Sequence, residues 1–338
     1  MQIPSLYELV NKPYYLFRPT QVLLRLQRFL GKQRPKRNWE ETVLPWGLSI
    51  RYHPDDLIGS GIYRTGLYDI CVSEVLWRLL DRGETAVDAG ANIGHMTSVM
   101  AKRVGESGNV FSFEPHPDIF HELTTNVSMW MELPDVGNIT LHEAALSKEE
   151  GTGNLFTTAD FESNRGTASL ESQAQESQAG YPVALKRLDD VMAGHSPIGV
   201  MKMDVEGHEF DLLQGATRLL SGHAIRDIVL EEKSLYPSLV TNYLESMGYE
   251  LFSLNQGALG IDVAAAALNV THSKYEAPSY LATLDVPRAL ARLKKKGYAV
   301  LISNNPKSKF GYQARVLLAS VLALFFVITH FKRTRHQR

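Results

Sequence analysis

The apolar and polar positions of this 338-residue chain keep a strict alternation of periods over its middle half. Between residues 85 and 254, short apolar runs of strand length take turns with stretches in which apolar residues recur at the spacing of a helix that buries one face. Thr85–Asp88 reads as a strand, followed by a glycine-rich turn and a helix over Gly94–Val104. Asn109–Glu114 predicts a second strand, Pro117–Met129 a second helix and Ile139–Leu146 a third strand. A polar, Ser- and Gln-rich excursion from Gly151 to Gly180 interrupts the pattern. It resumes with strands at Val183–Leu188 and Gly199–Val205, a helix from His208 to Leu220 and a strand at Asp227–Glu232. A helix ending near Met247 and a strand at Tyr249–Leu254 complete the series. This alternation predicts an α/β fold, a mostly parallel sheet with helices on both faces, whose ligand lies beyond the carboxyl ends of the strands.

The flanks read differently. Residues 1–60 form a lead-in: an amphipathic helix at Gln21–Leu30, a basic, Pro-containing linker at Lys32–Asn38, then a strand and turn over Leu44–Tyr52. No sustained apolar core precedes Lys32, so a secretory signal is not expected there. Residues 61–310 make the main domain, and residues 311–338 a tail. In that tail Val316–Ile328 is apolar except for Ser320, with Lys332, Arg333 and Arg335 beyond it. The run is shorter than the ~18–20 residues of a spanning helix, although snorkelling basic side chains extend its reach. The expectation is an apolar C-terminal helix that attaches a cytoplasmic protein to a membrane through 316–331, the alternative being packing on the domain or in a homo-oligomer. A formal net charge of −2 gives no global drive toward nucleic acid, and the core shows no basic, aromatic-rich face. The single cysteine, Cys71, falls in an apolar helical pattern and is expected to be a buried structural thiol in a reducing compartment.

Three segments carry the candidate chemistry. In Asp88-Ala-Gly90-Ala-Asn92-Ile-Gly94 the glycine spacing is Gly-x-x-x-Gly, not the Gly-x-Gly-x-x-Gly of a pyrophosphate-binding turn, which disfavours a nicotinamide enzyme. Asp88 at the strand end suits a cationic ligand and would repel pyrophosphate. Glu114, ending the next strand, sits where an acid accepts hydrogen bonds from ribose hydroxyls. Lys202, Asp204 and Glu206 alternate with apolar residues, so they would share one face if the strand persists. Three charges there are costly unless they work or pair with one another. Asp204 is the first candidate for a general base, Glu206 the second and His208 the reserve. With Glu231 these groups are oxygen and nitrogen ligands for a divalent ion, but their spacing matches no diagnostic metal motif and none is assigned.

Taken together, these segments resemble the FkbM-type methyltransferases. The likeness runs from about Tyr63 to Leu254 and includes Leu213-Gln-Gly215-Ala216, Asn164 to Ser169, Leu188-Asp189-Asp190 and Ile228 to Glu231. It implies a class-I, Rossmann-like methyltransferase fold that uses S-adenosyl-L-methionine, usually to methylate a hydroxyl on a sugar, glycan or small metabolite. It also implies donor contacts at Asp88, Gly90, Asn92, Gly94 and Glu114, with Lys202, Asp204 and Glu206 near the transfer site. Tyr68-Asp69 departs from the Tyr-Glu common in the family. The rival expectation is a membrane-associated binding protein that keeps the fold without catalysis.

Overall fold

The computed structural model describes residues 39–157, 161, 165, 168–170, 180–257, 259–269 and 278–301. The expected helix at Gln21–Leu30, the linker after it and the apolar tail 316–331 lie outside these residues. Among the described residues no helix is long and apolar enough to cross a membrane.

Eight strands form the central sheet: β3 (Thr85–Ala89), β4 (Asn109–Phe113), β5 (Asn138–His142), β9 (Ile198–Met203), β10 (Ile225–Glu231), β11 (Glu250–Gly257), β12 (Gly260–Ala265) and β13 (Ser279–Thr283). Their spatial order is β12-β11-β13-β10-β9-β3-β4-β5. The pairings from β5 through β10 are parallel, whereas β13 runs antiparallel to both β10 and β11, and β12 is antiparallel to β11. The mostly parallel sheet is therefore as expected, with an antiparallel edge beyond Leu254 that local periodicity did not announce.

Successive residues of a strand point to opposite faces, and here each face has its own core. Ala86, Val110, Val200 and Val229 pack with α2 (Ile70–Leu79), α3 (His95–Val104), α4 (Pro117–Ser128) and α9 (Val286–Leu293). Val87, Phe111, Met201 and Ile228 pack with α5 (Leu188–Val191), α6 (Glu209–Gln214), α7 (Thr217–Ser221) and α8 (Leu239–Ser246). A smaller sheet, ordered β6-β8-β7, flanks this layer from β6 (Ala145–Leu146), β7 (Gly151–Leu155) and β8 (Tyr181–Lys186).

Several elements differ from the expectation, each for a tertiary reason. The strand expected over Ile139–Leu146 is split, because β5 pairs with β4 while β6 leaves to pair with β8. The helix expected over His208–Leu220 breaks into α6 and α7 at Gly215, where a Cβ would lie 2.0 Å from the Ser147 carbonyl oxygen. Strand β9 ends at Met203, so Asp204 and Glu206 belong to the following turn and do not continue one strand face with Lys202. The lead-in is part of the domain from Trp39 onward: β1 (Glu40–Val43) and β2 (Ser49–Tyr52) form a hairpin whose Trp46, Leu48 and Ile50 are buried in the first core. The boundary expected at residue 60 falls inside α1 (Leu57–Thr65). Cys71 is buried, as its helical pattern predicts.

The far end of the described chain is tied to α2 by a buried ion pair. Glu74 accepts the backbone N–H groups of Ala299 and Val300, each at 2.8 Å, and pairs with Arg78, which donates to the carbonyls of Arg292 and Gly297. Removing one partner of such a pair strands the other charge in the core. Glu74→Ala is therefore expected to lower unfolding stability by about 3–5 kcal/mol, read from urea denaturation. A loss below ~1 kcal/mol would show that the segment is not held this way.

Candidate active site

The carboxyl ends of β3, β4, β9 and β10 open into a cavity of about 1210 Å³, somewhat roomier than the usual small-ligand cleft. Its first wall is the turn after β3. Gly90 has φ +76° and Asn92 φ +49°, in the left-handed region. A Cβ on Gly90 would stand 1.9 Å from the Asp204 carbonyl oxygen, so only glycine lets this turn lie against the end of β9. The backbone N–H groups of Gly90 and Ala91 both donate to the Phe113 carbonyl, at 3.0 and 2.9 Å, anchoring the turn to β4.

Glu114 follows β4 and lines the same cavity. Its Oε2 accepts the Asn92 N–H and its Oε1 the His116 N–H, both at 2.9 Å. These bonds fix the carboxyl while leaving lone pairs on each oxygen for a ligand. Burial pushes its pKa up to about 7, against the pull of the two N–H donors. The short wall Ala144, Ala145 and Leu146, beyond β5, closes the cavity beside it.

Asp88 is placed otherwise than its reading as a ligand contact requires. It is fully buried behind the cavity wall, where Oδ2 accepts the Thr97 hydroxyl at 2.6 Å and Oδ1 lies 3.7 Å from Lys202 Nζ. Burial raises its pKa, opposed chiefly by the Lys202 charge. In this structure its carboxyl faces Thr97 and Lys202. Gly94 also faces away from the cavity: a Cβ there would meet Leu123 and Trp130 of the α4 side. Gly90, Asn92 and Glu114 remain as the cavity-lining members of the expected donor set.

The opposite wall comes from the end of β9 and its turn. Lys202 is 7% exposed; Nζ donates to the Gly90 carbonyl at 2.8 Å and lies 3.3 Å from Asp204 Oδ2. Burial would lower its pKa, but Asp204, Asp88 and Glu231 outweigh that and hold it above the usual lysine range. Glu206, at φ +54°, pairs with Lys233 Nζ at 2.8 Å, and its carbonyl accepts the Ser169 hydroxyl. His208 Nε2 lies 3.0 Å from the Ser147 hydroxyl and 3.9 Å from Asp211. Glu209 accepts the Val205 and Gly207 N–H groups and so braces the turn itself. All four expected catalytic side chains, Lys202, Asp204, Glu206 and His208, therefore line one cavity.

Three further groups line the cavity, none of them among the residues expected to bind the donor or to act in the transfer. Asp69 caps α2 by accepting the Val72 N–H at 3.0 Å, in a left-handed conformation. His95 opens α3, where burial drops its pKa to about 3 and its Nε2 accepts the Tyr68 N–H. Glu231, at the end of β10, was noted only as a metal-ligand candidate. Among the described residues no group of three His, Cys, Asp or Glu side chains is arranged to hold a metal ion.

Residues 88–251, the stretch that builds both walls, match the model of the methyltransferase FkbM domain. Over this stretch, just under half of its length, the chain is similar to the FkbM-type methyltransferases. It is 31% identical over 151 residues to Methyltransferase 1 of Beauveria bassiana, covering 38% of this chain and 57% of that protein. It is 28% identical over 206 residues to the hexuronic acid methyltransferase AglP of Haloferax volcanii, covering 54% of this chain and 78% of that protein. Among solved structures, the FkbM methyltransferase of Methylobacillus flagellatus aligns over 68% of this chain and 49% of its own, with 18% identity and a TM-score of 0.42.

The turn at Gly90 generates a test. An alanine there meets both a positive φ and the Asp204 carbonyl. Gly90→Ala is expected to cost more stability, measured by urea unfolding, than the ~1–2 kcal/mol of a left-handed L-residue. A smaller loss would mean that the turn can leave the end of β9.

Proposed function

We propose that this FkbM-type domain is an S-adenosyl-L-methionine-dependent methyltransferase that methylates a hydroxyl oxygen on a sugar, glycan or small metabolite. The observation that carries this reading is that Gly90, Asn92 and Glu114 on one wall, and Asp204, Glu206 and Glu231 on the other, open onto a single cavity. The residues present suit the donor. Glu114 offers a fixed carboxyl to the ribose hydroxyls, and the carboxylate-rich second wall suits a positively charged centre. When bound, the donor supplies an electrophilic methyl group on a sulfonium.

The protein's part is alignment and proton management. Holding two reactants in one cavity converts their encounter into an effectively unimolecular step. Lys202 fixes the separation of the walls by bonding Gly90 on one and pairing with Asp204 on the other. Arg165 lines the cavity and pairs with buried Glu122 of α4, which gives the acceptor side a fixed member. The match to a hexuronic acid methyltransferase supports a sugar-type acceptor.

Calorimetry should give micromolar binding of S-adenosyl-L-methionine. Radiolabel from its methyl group should move to the hydroxyls of one member of a panel of uronic acids, neutral sugars and their glycosides. Absence of donor binding would sink the reading. Because Glu114 must ionise to accept strongly, wild-type donor affinity is expected to rise with pH through about 7. Glu114→Gln is expected to bind at least tenfold more weakly and without that dependence; equal affinity would remove Glu114 from the donor set.

A further inference from the structure

We propose that Glu231 is the catalytic base of the transfer, the carboxylate that takes the proton of the acceptor hydroxyl. The inference rests on the methyltransferase reading and differs from the sequence-based choice of Asp204. The register of the sheet supplies the placement: Val229 pairs with Lys202 and Leu230 with Met203, so the next residues, Glu231 and Asp204, stand side by side at the cavity. Across the other edge of β10, Glu231 pairs with Ser279 of β13.

What separates Glu231 from its neighbours is engagement. Asp204 is paired with Lys202, Glu206 with Lys233, and His208 Nε2 lies at hydrogen-bond distance from Ser147. Asp69 is spent on the α2 N-terminus. No hydrogen bond or ion pair involves the Glu231 carboxyl among the described residues, and the side chain is part-buried, lining the cavity. A base needs an oxygen open to the reacting hydroxyl and a path for the proton to leave afterwards. Glu231 has both.

Its environment also raises its basicity. Burial comes first, then the like charges of Asp204 and Asp69 and, to a smaller extent, Glu206; Lys202 opposes them, and the pKa is pushed up to about 8. A carboxylate of that strength accepts a proton more readily than an ordinary glutamate, as general base catalysis near neutral pH requires. In the step itself the acceptor oxygen bonds the methyl carbon and the S–C electron pair returns to sulfur. The hydroxyl proton passes to a Glu231 oxygen, and the products are a methyl ether, a neutral thioether and a protonated carboxyl.

Two measurements test this. In the protein alone, NMR of 13C-carboxyl-labelled glutamate should show one side chain titrating near pH 8 that is missing from Glu231→Gln. Asp204→Asn, which removes a neighbouring negative charge, should move that titration to lower pH. With the acceptor found in the sugar panel, wild-type turnover should climb with pH through the same range. Glu231→Gln should lose at least 100-fold in kcat, the scale of general base catalysis, together with the climb, a far larger loss than it shows in S-adenosyl-L-methionine affinity. A variant that keeps kcat and its pH profile, or a Glu231 that titrates as an ordinary carboxyl, overturns the assignment. Failure of wild-type protein to bind the donor instead overturns the methyltransferase reading on which it rests.

Discussion

The site depends on one buried ammonium group. Lys202 Nζ donates to the Gly90 carbonyl at 2.8 Å while it faces Asp204 at 3.3 Å and Asp88 at 3.7 Å. A buried cation is tolerated only where carboxylates and hydrogen bonds replace its lost water. Here those replacements come from two different strands. The same interaction that satisfies the charge therefore locks the turn after β3 against the end of β9. Asp88, which reads in the sequence as a ligand contact, serves this arrangement from behind, and Thr97 holds it there. The residues that look most functional by position are partly the supports of those that reach the cavity.

A second constraint is how closely the main chain packs at the strand ends. Gly90 lies against the Asp204 carbonyl and Gly215 against the Ser147 carbonyl. The first contact shapes the cavity wall; the second breaks the helix after β9 and keeps β6 near α6. Ser147 thereby comes within 3.0 Å of His208. Packing at a glycine on the far side of α6 thus sets the surroundings of a cavity-lining histidine.

Much of the parallel half of the sheet was legible because each of its strands is a short apolar run bounded by turn residues, and each helix after it carries its own amphipathic period. The sequence position of Glu114 at a strand end, after Asp88 at another, was enough to locate one wall. What escaped reading depends on partners distant in sequence. The end of β9 at Met203, the division of Ile139–Leu146 between two sheets and the antiparallel β13 are set by pairing, not by local pattern. Glu231 was visible as an acid ending a strand, a common occurrence. Its position beside Asp204 exists only in the register of β9 and β10.

The two raised glutamates of the cavity have different causes, and the difference bears on what each can do. Glu114 is raised by burial although two N–H groups support its charge, so added hydroxyl donors draw it toward the ionised form. Glu231 is raised by burial together with neighbouring carboxylates that have no such donors to offer. A cation admitted between those carboxylates lowers the pKa of each one facing it. Glu231 would then ionise most readily when a sulfonium occupies the cavity, and would hold its proton most tightly once transfer has left a neutral thioether. Basicity would rise in the direction of the reaction, coupling the proton's arrival on Glu231 to the loss of positive charge beside it.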